Sequence, residues 1–294
     1  MKTSPVALAA HIDAKALARL RSHAGFWAAC EGSAARATER FASLDPTHQW
    51  VMKDVGRASI CLTALTLHLM RRLTMQTLTT NCLAVGIASA GRVQQLVRRC
   101  LEAGAMELED GSGIWTRRPI RLARSLVESM RERALVDLTS AAQLAPEVAG
   151  AVDLASSDEG FVSYIVAIAG ITSARRDLFA FSGGSPMTLF LDREAGMAML
   201  LDLIGAQASD RQRLLEEAPI SRYALSRRYG VSRAHINKML AESGDIAFAA
   251  GGKRIVFSPA LSEALEAHYA LIFELNRLAA TSLLSGWRFE ARGA

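Results

Sequence analysis

The chain has 294 residues, half of them apolar, and 34 Lys+Arg against 29 Asp+Glu give a formal charge of +5 and a pI near 9.3. That much apolar material excludes general disorder, and the length predicts about two domains. With 6% aromatics and seven prolines, helices are favoured over a β-sandwich or barrel.

The N-terminus reaches His11 and Asp13 before any apolar core develops, which is not a signal-peptide pattern, and residues 6–42 read as largely helical. The most membrane-like stretch, residues 160–171, falls short of the roughly 18–20 residues a spanning helix needs. No membrane partner is expected. Cys30, Cys61, Cys82 and Cys100 form no CxxC pair and no Cys/His cluster at zinc spacing, so they are expected as core thiols in a reducing cytoplasm, without metal or cofactor.

Residues 55–101 contain no Asp or Glu, yet they hold Arg57, Arg71, Arg72, Arg92, Arg98 and Arg99. Residues 219–241 likewise lack acids and hold Arg222, Arg227, Arg228, Arg233 and Lys238, with His235 among them. A solvated helix face normally mixes both signs, whereas two one-sign stretches create two positive potentials suited to a polyanion. Chance clustering in a mildly basic chain is the plainer alternative.

The same order of features occurs twice, roughly 140 residues apart. Ala35-Arg36 and Phe41-Ala42 resemble Ala174-Arg175 and Phe179-Ala180. Lys53-Asp54-Val55-Gly56-Arg57-Ala58 resembles Arg193-Glu194-Ala195-Gly196-Met197-Ala198, and each opens an apolar helical run. Gly86 to Val93 then resembles Gly230 to Ile236, with one extra residue in the first turn.

In the first copy, residues 75–85 read as a positioning helix and Ser89 as the cap of a recognition helix over 92–103. Val93, Leu96, Val97 and Cys100 or Leu101 point inward, leaving Arg92, Gln94, Gln95, Arg98 and Arg99 on or near the exposed face. Met106-Glu107-Leu108 and Ile114-Trp115-Thr116 flank a tip at Asp110-Gly111-Ser112-Gly113, which is acidic, so Arg117 and Arg118 are expected to supply the positive charge. A long amphipathic helix follows over 119–138.

The second copy is the clearer. Residues 158–181 and 214–217 read as helical, and 221–229 as a helix with Ala224, Leu225 and Tyr229 inward. Gly230 suits a left-handed helix end, Val231 plugs the corner, and Ser232 caps a helix over 233–243. Ile236, Met239 and Leu240 form its buried face; Arg233, His235, Asn237 and Lys238 form the other. Ile246-Ala247-Phe248 and Ile255-Val256-Phe257 alternate as strands around a Gly-Gly tip beside Lys253 and Arg254, and an amphipathic helix spans 260–284.

This is helix–turn–helix grammar followed by a hairpin wing. The plan, with long flanking helices that a small winged module cannot bury alone, resembles the MarR family of bacterial transcription regulators. The resemblance rests on topology and the two turn–helix–wing segments, about half the chain. It departs from the family in carrying two copies in tandem where the family uses two subunits. The expected fold is therefore mainly α: two winged helix-turn-helix units, residues 1–145 and 146–294, whose long helices form a pseudo-two-fold, dimer-like core within a single chain. The resemblance implies recognition helices in adjacent major grooves of double-stranded DNA, wings on the minor grooves, and repression or activation as output. Family members often bind a small effector, and no residue here identifies one. The expected DNA contacts are Ser89, Arg92, Gln94, Gln95, Arg98, Arg117 and Arg118 in the first copy. In the second they are Arg222, Ser232, Arg233, His235, Asn237, Lys238, Lys253 and Arg254.

No HExxH, P-loop lysine or GxSxG elbow points to an enzyme. A tandem winged-helix replication initiator and a protein-interaction module remain as alternatives.

Overall fold

A computed structural model describes residues 2–110, 114–179, 185–207, 211–249 and 252–290. Residues 111–113 of the first expected tip, Ala250 and Gly251 of the second, and Ala180 and Gly183-Gly184 lie outside the described residues.

The chain is mainly helical with small antiparallel sheets. The first half runs α1 (Pro5–Leu8), α2 (Ala14–Arg21), α3 (Phe26–Ser43), α4 (Pro46–Met52), α5 (Val55–Leu69), α6 (Met75–Val85), α7 (Ala90–Glu102), β1 (Met106–Leu108), β2 (Ile120–Leu122) and α8 (Arg124–Leu144). The second runs α9 (Gly150–Ser156), α10 (Asp158–Ala174), α11 (Arg176–Phe179), α12 (Thr188–Asp192), α13 (Gly196–Ile204), β3 (Glu217–Pro219), α14 (Arg222–Tyr229), α15 (Arg233–Glu242), β4 (Ile246–Phe248), β5 (Arg254–Phe257) and α16 (Pro259–Leu284). Among the described residues, no helix is long and apolar enough to cross a membrane.

Local chemistry sets these boundaries. Thr74 and Thr77 cap α6 reciprocally, and Ser89, Ser221, Ser232 and Ser258 each accept a first-turn backbone N–H. Gly86 (φ 74°) and Gly230 (φ 58°) end α6 and α14 in the left-handed region, where a Cβ is strained. Val93, Leu96, Val97 and Cys100 of α7, and Ile236, Met239 and Leu240 of α15, are buried as their spacing predicts.

Three expectations are corrected. The partner of β1 is residues 120–122, not 114–116: Met106 pairs with Leu122 and Leu108 with Ile120, while Trp115–Arg117 form a 3₁₀ turn. Ile120 and Leu122 are buried on either side of exposed Arg121, the alternation of a half-buried strand, so α8 begins only at Arg124. Residues 217–219 are a strand, in the sheet order β3-β5-β4, where helix was expected from 214. Ala224 is exposed, and Leu225 and Tyr229 alone carry the buried side of α14.

The buried side chains form two clusters, each drawing on both halves. The first joins Ile60, Leu65, Leu78, Leu96 and Ile120 to Phe161, Tyr164 and Ile165 of α10 and to Leu275, Leu278 and Leu283 of α16. The second joins Met199, Leu225, Ile236, Ile255 and Phe257 to Phe26, Cys30 and Phe41 of α3 and to Ala141 and Leu144 of α8. Thus α10 packs on α5, α3 packs on α13, and α8 packs along α16. Ala145, the last residue of the expected first unit, itself belongs to the first cluster.

Candidate nucleic-acid interface

In the second half the cap at Ser232 fixes the start of α15: its hydroxyl accepts the His235 N–H at 3.0 Å. Arg233, Asn237 and Lys238 are exposed, and the Lys238 ammonium is 3.7 Å from the Glu242 carboxylate. This exposed pair is worth little and leaves the cation available to an anion. His235 is turned inward instead. Its Nε2 lies 2.9 Å from the Glu194 carbonyl oxygen, to which it donates. Arg222 is half-buried, its guanidinium 4.6 Å over the Phe248 ring, and so it fastens α14 to β4. Lys253 and Arg254 are exposed; Arg254 pairs with Glu217 across the β3–β5 register.

In the first half Gln94, Gln95 and Arg98 are exposed and, with Arg99 and Glu102, line a shallow groove of about 390 Å³ along α7. Ser89 caps α7 through the Arg92 N–H at 3.4 Å. The Arg92 side chain bends back onto Asp54, at 2.7 and 3.0 Å from its two oxygens. It passes over Gly56, where a Cβ would sit 2.8 Å from the guanidinium. Arg117 donates to Gln76 at 3.2 Å, and Arg118 donates to the Glu109 carbonyl at 3.1 and 2.6 Å. Arg118 therefore closes the base of the hairpin, while the turn beyond it exposes Ile114 and Trp115 at 63% and 42%. Arg99 and Arg57 each stack on Trp50, at 4.2 and 4.3 Å from the ring centre.

A third group joins the two halves. Arg57 donates to the Glu194 carboxylate at 2.6 Å, with Lys53 at 3.3 Å. Lys53 Nζ also donates to the Tyr229 carbonyl at 3.2 Å, and the Lys53 carbonyl accepts the Ala195 N–H at 2.7 Å. Burial opposes ionisation of Glu194, but the Arg57 bond and the Lys53 and Arg57 charges outweigh it and hold its pKa below the usual value. These residues stand in the repeat itself, Lys53-Asp54 matching Arg193-Glu194. Helical periodicity carries no sign that these segments meet, because their contact joins residues about 140 positions apart.

All four cysteines are free and buried, and burial pushes the Cys82 thiol up to about 11. Burial pushes His268 down to about 4. Among the described residues, no group of three or more His, Cys, Asp or Glu is placed to hold a metal ion. Comparison with protein-family models, characterised proteins and solved structures finds no match to this chain.

Proposed function

We propose that the chain is a double-stranded DNA-binding transcription regulator built from two winged helix-turn-helix units in one polypeptide, acting as an intrachain pseudo-dimer. The observation that carries the reading is the doubled succession α5–α6–α7–β1–β2–α8 and α13–β3–α14–α15–β4–β5–α16, each with a Ser-capped helix whose outer face is polar and cationic. Reciprocal packing of α10 on α5 and of α3 on α13 supports a two-fold relation.

The readers of base edges are Gln94, Gln95 and Arg98 on α7 and Arg233 and Asn237 on α15. Arg bonds bidentately to guanine and Asn or Gln to adenine, each good pair worth about 1–3 kcal/mol of discrimination. Phosphate contacts from Lys238, Lys253 and Arg254 contribute most of the affinity and make it salt-dependent. The different letters of the two helices call for an imperfect palindrome with half-sites about 10 base pairs apart.

The first hairpin fits a different surface. Its exposed Ile114 and Trp115, and the engagement of Arg117 and Arg118 within the fold, favour contact with a protein over contact with phosphate.

A salt series of gel shifts on duplexes selected from a random library tests the reading. Binding should weaken steeply with salt, and Arg233→Glu with Lys238→Glu should reduce affinity at least about tenfold with unchanged melting. Unchanged affinity would remove α15 from the interface.

A further inference from the structure

The helices α7 and α15 are tied at their first turns to one ionic bracket. From α7, Arg92 reaches Asp54 at 2.7 Å; Asp54 caps α5 by accepting the Arg57 N–H at 2.8 Å. The Arg57 guanidinium then reaches Glu194 at 2.6 Å, and the Glu194 carbonyl accepts from His235 of α15 at 2.9 Å. The path thus runs from one helix to the other through Arg92, Asp54, Arg57, Glu194 and His235. Lys53 doubles it, bonding Glu194 and the Tyr229 carbonyl at the end of α14. Two further observations mark the bracket as a constrained element. Ala195 adopts φ 63°, a left-handed conformation disfavoured for a residue with a Cβ, and its N–H is held by the Lys53 carbonyl across the halves. The side chains of Lys53 and Arg57 are only 13% and 12% exposed, so the two cations are held out of solvent, while the Glu194 carboxylate they grip is 38% exposed.

The bracket is single where a symmetric dimer would have two. Met197 stands where the repeat has Arg57, and Arg193 turns to Glu242 of its own half at 2.8 Å. One acidic group, Glu194, therefore receives both cations from the other half.

We propose that Glu194, gripped by Lys53 and Arg57, is a positioning residue that fixes the separation of α7 and α15 and thereby sets the half-site spacing the chain accepts. The proposal rests on the DNA-binding reading above. Each added base pair moves one half-site by about 3.4 Å and turns it by about 35° relative to the other, so a rigid pair of readers tolerates one spacing.

Two measurements on the full chain separate the bracket from DNA binding. Spin labels at Gln95→Cys and Asn237→Cys, with the four native thiols buried, report the distance between the helices without DNA. One narrow distribution is expected, broadening in Glu194→Gln and in Lys53→Met; identical widths in both variants overturn the proposal. On a duplex selected by the unmodified chain, inserting or deleting one base pair between half-sites should cost about tenfold or more in affinity, and under about threefold in Glu194→Gln. An equal spacing penalty in the variant overturns the role of Glu194. A broadened distance distribution with no duplex selected by any form overturns the DNA reading and the spacing role with it, leaving only a brace between halves. Should Glu194→Gln not fold, the same comparison is made with Lys53→Met.

Discussion

At the scale of single residues, a cation's neighbours decide what it is free to do. Arg92 and His235 stand at matching places in the first turns of α7 and α15, and both are engaged within the protein, by Asp54 and by the Glu194 carbonyl. Replacing His235 by Ala should cost about 0.5–1.5 kcal/mol of stability, the usual worth of such a bond, with selectivity at individual bases unchanged. Denaturant midpoints and binding to single-base operator variants distinguish the two effects. The titration of Glu194 gives a second expectation. Its pKa is lowered in the folded chain, so its stabilisation is present above the ordinary value of 4.5 and is lost as pH falls through the folded value. The difference in melting temperature between the unmodified chain and Glu194→Gln should be greatest near neutrality and vanish in stronger acid. His268 acts in the same direction over a different window. It is held near 4 by burial against 6.5 when unfolded, so the unfolded chain binds the extra proton and stability falls from pH 6.5 to 4. Replacing His268 by Gln should flatten that slope in pH-dependent melting curves.

At the scale of elements, capping and turn chemistry carry the local fold. Ser232→Ala removes the acceptor for the His235 N–H and should cost about 0.5–2 kcal/mol, measured by equilibrium unfolding. These features were legible in the sequence because they are local: α6 spans the expected residues 75–85, and the Ile236, Met239 and Leu240 stripe turns inward as its spacing requires. The first hairpin was misplaced for an equally physical reason. Its strands are three residues long, too short for alternation to distinguish 114–116 from 120–122, and the choice is made by the pairing of Met106 with Leu122. Helical periodicity shows which face of α7 or α15 is buried, but not what waits for Arg92 or His235 beside it. Of the candidate site, the exposed Gln94, Gln95, Arg98, Asn237 and Lys238 were legible; the diversion of Arg92, Arg118, Arg222 and His235 was not, because it depends on partners distant in sequence or on the hairpin's closure.

At the scale of the molecule, the two halves complete each other. Phe26 and Phe41 of α3 are buried against the second module, and Phe161 and Tyr164 of α10 against the first. Each such side chain is worth about 1.5–3 kcal/mol when buried, and losing several is comparable with the roughly 5–15 kcal/mol that typically separates folded from unfolded chains. Residues 1–145 expressed alone should therefore lack a cooperative unfolding transition in calorimetry, as should residues 146–294. On the proposed reading of an intrachain pseudo-dimer no subunit-association step precedes DNA binding, so affinity for DNA should not collapse on dilution. The most direct test of the account is footprinting of the full chain on a duplex selected from a random library, with the stoichiometry of the complex measured alongside. One chain per duplex protecting two segments about one helical turn apart is the expected result; failure to select any duplex, or protection of a single segment, would contradict it.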